Sequence, residues 1–167
     1  MSKRFFGIFV SLLVVAMLTL TMSEAFATKS ETVTAQRAMK YPPMPTRVER
    51  DVGKSGDVIA NTVAEHKWTG DIVGICDTDA MRHYHYSPDG SVWINVRAVD
   101  TFSEATVMGK TGGLTIRLNM VVDVTETYTG TWVIIGGTGE LANLHGQGTV
   151  SGPKTAVGYS GQVHFDP

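Results

Sequence analysis

Residues 114–123 read LTIRLNMVVD, and this stretch decides the fold class. Every second side chain is apolar, while the residues between them are mostly polar. The apolar set is Leu114, Ile116, Leu118, Met120 and Val122. Successive side chains of a strand point to opposite faces, so a period of two predicts a strand with one buried and one solvated face.

The same alternation continues on both sides of this strand. SVWINVRAV at 91–99 alternates as well, and Ser-Pro-Asp-Gly at 87–90 is a turn signal that predicts a hairpin with a strand at 80–86. Turn signals recur about every ten residues, which is typical of an all-β sandwich or barrel. Further strands are predicted at 124–135, around 149–150 and at 157–165, and no sizeable helix is expected after residue 57.

The N-terminus has the pattern of a secretory signal peptide. Lys3 and Arg4 precede an apolar run at 5–20, and Ala25-Phe26-Ala27 provides small residues for cleavage. The alternative is an uncleaved anchor, but the run is shorter than the roughly 20 residues that span a bilayer. We therefore predict a signal peptide at 1–27 and a secreted or periplasmic protein that is free of the membrane after cleavage.

Composition divides the remaining chain in two. Residues 28–56 are rich in charges and prolines without an apolar period, which predicts a flexible leader, ordered only near its end, before a barrel domain at 57–167. The net charge is −2 and there is no basic patch, so we do not expect nucleic acid as a partner. Cys76 is the only cysteine, so no intramolecular disulfide can form, and we expect a buried thiol.

A glycine-rich segment, GGTGELANLHGQG at 136–148, partly fits a dinucleotide-binding fingerprint. Such a site needs the loop to open a helix whose N-terminus binds the pyrophosphate. Here Gly146 and Gly148 interrupt the segment after barely two turns, and too few residues follow for a second βαβ unit. We predict instead a strand connection with a short helical turn, where backbone passes close to backbone.

Several of these segments resemble one family. TWVIIGGTGELANLHGQGTVSG at 131–152, Y-x-P-D-G at 86–90, the glycines at 109–112 and GYSGQVHF at 158–165 are similar to the allene oxide cyclase-like β-barrels, most of all to the bacterial DUF3224 family. The resemblance implies a small antiparallel β-barrel of about eight strands, often in oligomers, whose relatives shape an apolar cavity. The strand after the P-D-G turn has Arg97 without an adjacent glutamate, so no catalytic residues are carried over.

Two residues are candidate acid–base groups. Glu126 shares strand parity with Tyr128 and Trp132, which places a carboxylate near the barrel interior unless it lies at a solvated strand end. Tyr159 lies among apolar residues of the last strand, where its hydroxyl either contacts a ligand or is satisfied locally.

His83 and His85 are two apart on a predicted strand and therefore share a face. H-x-H on a strand holds a metal in many barrels, but further ligands from other strands are needed. The alternatives are ligand contact without metal, or an exposed polar face if Tyr84 and Tyr86 point inward. We assign ligand contact to the pair, and predict neither a metal nor a cofactor.

Three functions remain. The first is binding of a small apolar or amphipathic molecule within the barrel. The second is a cofactor-independent cyclase or isomerase that uses Glu126 and Tyr159. The third is a structural or interaction protein whose barrel is filled by side chains. Hydrolase chemistry is not supported, because the sequence lacks G-x-S-x-G.

Overall fold

The structure is a computed structural model that describes residues 29–39, 46–51 and 56–167. The predicted signal peptide lies outside these residues. The described strands are β1 (Glu31–Met39), β2 (Thr46–Asp51), β3 (Val58–Gly70), β4 (Ile72–Tyr86), β5 (Val92–Val107), β6 (Lys110–Val122), β7 (Thr127–Gly137), β8 (Leu144–Pro153) and β9 (Val157–Phe165). The described part of the chain contains no helix long and apolar enough to span a membrane.

The strands form an antiparallel sheet that closes on itself. From β3 to β9 each strand pairs with the next, and β1 closes the ring by pairing with β9 and with β3. Of the nine strands in the described ranges, eight therefore form the barrel, and β2 pairs with the first half of β3 outside the ring. Every ring strand is paired on both sides over part of its length, although β1 reaches β3 only through residues 35–39, and this limits pairing with another chain. The predicted all-β barrel is confirmed.

Strand alternation places the core inside this ring. The apolar face of β6 is buried throughout, from Leu114 to Val122, while Arg117 and Asn119 on its other face are exposed. Irregular register on β5 between Phe102 and Ala105 shifts the inward parity, so that Val107 also faces the core. The two-residue period read from the sequence therefore sorts the barrel into an inside and an outside.

The predicted flexible leader at 28–56 is wrong for residues 31–39, which form β1 and close the barrel. Residues 46–51 form β2, towards the end of this segment, where order was expected. In β1, Val33 and Ala35 are buried while Thr32, Thr34 and Gln36 are exposed. This alternation is built from small and polar residues, so its apolar signal is too weak to indicate a strand on its own.

The glycine segment has the predicted form. A single 3₁₀ turn, Gly139–Leu141, connects β7 to β8, and Leu141 is fully buried. The predicted hairpin is also present, with β4 and β5 joined across Pro88, Asp89 and Gly90. Hydrogen bonds of the Asp89 carboxylate with Ser91 hold this turn.

Candidate functional site

An ion pair lies inside the barrel between strands that are not neighbours. Arg37 on β1 donates Nε to Asp100 Oδ2 at 2.8 Å and Nη2 to Oδ1 at 3.0 Å. The Asp100 side chain is completely buried and that of Arg37 is 9% exposed. This two-pronged geometry is the strongest form of Arg–carboxylate contact. The charged pair therefore ties the closing strand to β5.

Three further side chains complete a network around Asp100. Trp68 Nε1 donates to Oδ2 at 2.9 Å and Thr78 Oγ1 donates to Oδ1 at 2.7 Å. The Thr78 hydroxyl uses its only hydrogen in the bond to Asp100. In its 2.8 Å contact with His66 Nδ1 the hydroxyl oxygen is therefore the acceptor, and Nδ1 carries the hydrogen. Asp100 thus accepts four hydrogen bonds, and its charge is balanced by Arg37.

Burial decides the protonation states in this cluster. Burial and then the Arg37 charge lower the pKa of His66 to about 4, so its imidazole is neutral at pH 7. Burial alone would lower the pKa of Arg37, but the Asp100 carboxylate, together with Tyr159 and Cys76, raises it overall. Burial also raises the pKa of the Cys76 thiol to about 12. Cys76 is 1% exposed, as predicted for a buried thiol.

The His66 pKa predicts a loss of stability in mild acid. Between pH 6.5 and about 4 the unfolded chain binds a proton that the folded chain does not, so stability falls as the pH drops through this window. The contribution is roughly 2 to 3 kcal/mol. Urea unfolding at about pH 7 and about pH 4.5 measures it, and His66→Gln should remove this share of the pH dependence. Parallel curves for both proteins would contradict the assignment.

Tyr159 lies beside this network and is buried, as its place on the last strand suggested. Its ring contacts Trp68, with centroids 4.2 Å apart, and burial raises the pKa of its phenol despite the neighbouring Arg37 charge. The Arg37 guanidinium lowers this pKa as a neighbouring hydrogen-bond donor, but the hydroxyl finds no acceptor among the described residues. A buried hydroxyl without an acceptor is costly, which makes this atom a candidate for ligand contact.

β1 pairs with β9 through residues 31–37 and with β3 through residues 35–39. A cleft lies at this seam, where the two pairings overlap. Its volume is about 410 Å³, and Ala35, Gly70, Gly158 and Tyr159 are among its lining residues. Ala35 is in register with both Gly70 and Tyr159, so the seam brings three strands together at one residue. Tyr159 belongs to both the interior cluster and this cleft.

Glu126 lies in an exposed turn, away from the interior cluster. It has a positive φ of 60°, follows β6 and precedes β7. Its carboxylate pairs with Lys154 Nζ at 3.0 Å, and both side chains are more than half exposed. Of the two alternatives for Glu126, the structure therefore shows the solvated strand end and not the inward position, because β7 begins after it at Thr127.

His83 and His85 lie on the outer face of β4, while the interior-facing parity passes through Ala80. Asp57, one residue before β3, lies between them: its Oδ2 is 3.3 Å from His83 Nε2 and 3.0 Å from His85 Nδ1. Partial burial would raise the pKa of Asp57, but hydrogen bonds with Tyr86 N–H and His85 lower it. The structure thus brings the histidine pair together with a carboxylate, but not with Tyr159.

Aromatic stacking orders this outer cluster. The His85 ring stacks on Trp93 at 3.8 Å and lies 3.8 Å from the His83 ring. Asn95 Nδ2 is 3.3 Å from His85 Nε2. The His85 ring is therefore held by Trp93, His83 and Asn95 together. The group borders a cleft of about 630 Å³ that His83, Asn95, Met81 and Arg97 help to line.

Sequence patterns missed most of the interior cluster. Asp100 could have been found, because it continues the inward parity of Val96 and Ala98 by one step. His66 precedes Trp68 by two residues and shares its face in the same way. Arg37 had no such signal, because it lies in a segment without apolar periodicity.

These features define a class: a closed eight-stranded antiparallel barrel with a charged pair across its interior. The fold is that of a crystal structure of a protein of unknown function from the DUF3224 family of Shewanella oneidensis MR-1. The two structures match with a TM-score of 0.58 at 13% identity, over 83% of this chain and 99% of the other. No family model and no curated protein matches the sequence.

Proposed function

We propose that the protein is an exported barrel that binds a small amphipathic molecule, with the polar end of the molecule at Tyr159. The observation that carries the proposal is the buried Tyr159 hydroxyl, which finds no acceptor among the described residues. Its raised pKa keeps the phenol protonated, so the group it would satisfy is an acceptor such as a carbonyl or ether oxygen.

The short side chains of the interior wall near Asp100 support the proposal that the rest of this molecule is apolar. Thr62, Ala80 and Ala98 face inward on β3, β4 and β5 and are in direct cross-strand register. Short side chains on three adjacent strands occupy less of the interior than a large residue such as Trp132 on β7, farther round the ring.

A second candidate function rests on the position of Arg37. Its guanidinium lies beside the Tyr159 hydroxyl and lowers the phenol pKa against the larger effect of burial. A protonated phenol next to a fixed cation would polarise a carbonyl and stabilise negative charge on its oxygen. This arrangement suits a cofactor-independent isomerase or cyclase, in which Tyr159 donates the hydrogen bond and Asp100 holds Arg37 in place.

Native mass spectrometry of the purified protein and of Tyr159→Phe tests the binding proposal. The wild type should retain an organic molecule, and Tyr159→Phe should retain roughly tenfold less of it. The ligand-free variant should also be more stable by about 1 kcal/mol, because an unpaired buried donor is gone. Tyr128→Phe is the matched control, since Tyr128 also packs against the core and should leave retention unchanged.

Three results would contradict the proposal. A bare protein mass would favour a barrel filled by its own side chains. A large loss of stability in Tyr159→Phe would mean that the hydroxyl has a structural partner. Equal loss of ligand in Tyr128→Phe would show that the effect is not specific. If the molecule is retained, its conversion to a new mass on incubation would favour the isomerase.

A further inference from the structure

We propose that Asp57, His83 and His85 form a binding site for a divalent transition metal of the zinc type on the outer face of the barrel. This site is separate from the Tyr159 cluster and does not depend on the proposed function. Each side chain offers one ligand atom, and these atoms lie within 4.8 Å of one another.

The distances fit tetrahedral coordination. A zinc ion with bonds of about 2.0–2.1 Å spaces its ligand atoms about 3.3 Å apart. Asp57 Oδ2 is 3.3 Å from His83 Nε2 and 3.0 Å from His85 Nδ1, so small rotations are enough to admit an ion. Two imidazoles with one carboxylate are ligands that suit zinc, copper and nickel rather than magnesium or calcium.

The backbone fixes these three groups in place. His83 and His85 alternate on β4 and therefore share its outer face. Val58 is in register with Tyr84, so Asp57 extends β3 to a position opposite His85. The backbone N–H of Tyr86 donates to Asp57 Oδ1 at 3.3 Å, which leaves Oδ2 directed at the imidazoles. The site is thus built on paired strands rather than on a loose loop.

The buried Nε2 of His83 provides an independent observation. Within the described residues it makes no hydrogen bond of good geometry, although it is shielded from solvent. Its 3.3 Å contact with Asp57 Oδ2 does not have hydrogen-bond geometry, and a metal ion would satisfy both atoms. On His85, a metal at Nδ1 leaves the hydrogen on Nε2, where the Asn95 amide could accept it through its oxygen after turning over. Such outer contacts orient metal-binding histidines.

Three protein ligands leave a fourth coordination position. His83 and Asn95 line the adjacent cleft of about 630 Å³, so water or a small ligand can reach this position from solvent. Three ligands with an open position is the pattern of zinc sites that bind or activate an exchangeable group. Arg97 lines the same cleft, which would favour an anionic ligand there.

Isothermal titration of the chelator-treated protein with zinc chloride tests the site. We expect one zinc per chain with a Kd in the micromolar range or below, and a Kd raised at least about 100-fold in His83→Asn and in His85→Asn. Circular dichroism should show unchanged folds, because both side chains lie outside the core.

A second histidine pair provides the matched control. His145 and His164 also flank a carboxylate, Asp166, at 3.2 and 3.4 Å, but their side chains are more exposed. The double variant His145→Asn/His164→Asn should keep the wild-type Kd within about twofold, since it removes none of the proposed ligands. The proposal is overturned if the wild type binds zinc more weakly than about 1 mM, or if this control loses as much affinity as His83→Asn.

Copper binding gives a spectroscopic test in the same proteins. Trp93 stacks on His85, whereas Trp68 and Trp132 are buried in the core. Copper(II) bound at His85 should therefore quench the Trp93 share of the fluorescence, and His85→Asn should abolish the saturable quenching. Saturable quenching that persists in His85→Asn would place the metal elsewhere and overturn the proposal.

Discussion

Replacing Asp100 with asparagine should lower the free energy of unfolding by about 3–5 kcal/mol, because it leaves a buried Arg37 cation without its counter-charge. Asparagine keeps the size of the side chain and one acceptor oxygen, so the change acts mainly on charge. Arg37→Met should lower the free energy of unfolding by a similar amount, since it leaves the buried Asp100 carboxylate without its counter-charge. Urea unfolding at neutral pH measures both losses.

The double variant Arg37→Met/Asp100→Asn separates pairing from packing. It removes both charges, so its loss should be smaller than the sum of the single losses by about 2 kcal/mol or more. The exposed pair of Glu126 and Lys154 is the control: Lys154→Met should leave stability nearly unchanged, because surface ion pairs contribute little. Additive single losses would mean that the ion pair does not hold β1 to the barrel.

The strands could be predicted wherever the chain alternates strongly. LTIRLNMVVD alone indicated the inside and outside of β6, and its neighbours followed from turn signals at regular spacing. β1 could not be predicted in this way, because Thr32, Thr34 and Gln36 alternate with only two small apolar residues. Its place is fixed by pairing with β9 and β3, which lie far along the chain.

The side-chain contacts of the interior cluster also could not be predicted from local sequence patterns. Arg37 and Asp100 are 63 residues apart, and no local pattern relates them. Parity could identify Asp100 as inward-facing, but only the closed ring shows which cation it meets. Parity failed for Glu126 because the turn around it breaks the alternation before β7 begins. The histidine pair shared a face as predicted, whereas its partner Asp57 could be identified only from the β3–β4 register.

The glycines of this segment, which partly fit a dinucleotide-binding pattern, are required for steric reasons instead. Gly148 on β8 is in register with Gly161 on β9, and Trp132 on β7 is in register with Gly148. The Trp132 indole lies against this pair and donates Nε1 to the Ser160 carbonyl at 3.2 Å. Two residues without side chains thus make room for a large one inside a narrow barrel.

Gly148→Ala should therefore destabilise the protein by about 3 kcal/mol, because a methyl group has no room there. A Cβ at this position would overlap the Ser160 carbonyl oxygen and lie 2.6 Å from Trp132 Nε1. Either β8 and β9 separate or the indole leaves its position, and both changes lose buried contacts. Thermal and urea unfolding measure the loss, and near-ultraviolet circular dichroism should report a changed Trp132 environment.

Gly136→Ala is the matched control from the same glycine-rich segment. A Cβ there meets no atom within 4 Å, so the substitution should be close to neutral. Neither Gly136 nor Gly148 has a positive φ, so neither position needs the backbone freedom of glycine. A difference in stability between the two alanine variants therefore reports the steric effect of the added methyl group. If Gly148→Ala proves as mild as Gly136→Ala, Trp132 does not pack on this glycine pair and the close approach of β8 and β9 does not require it.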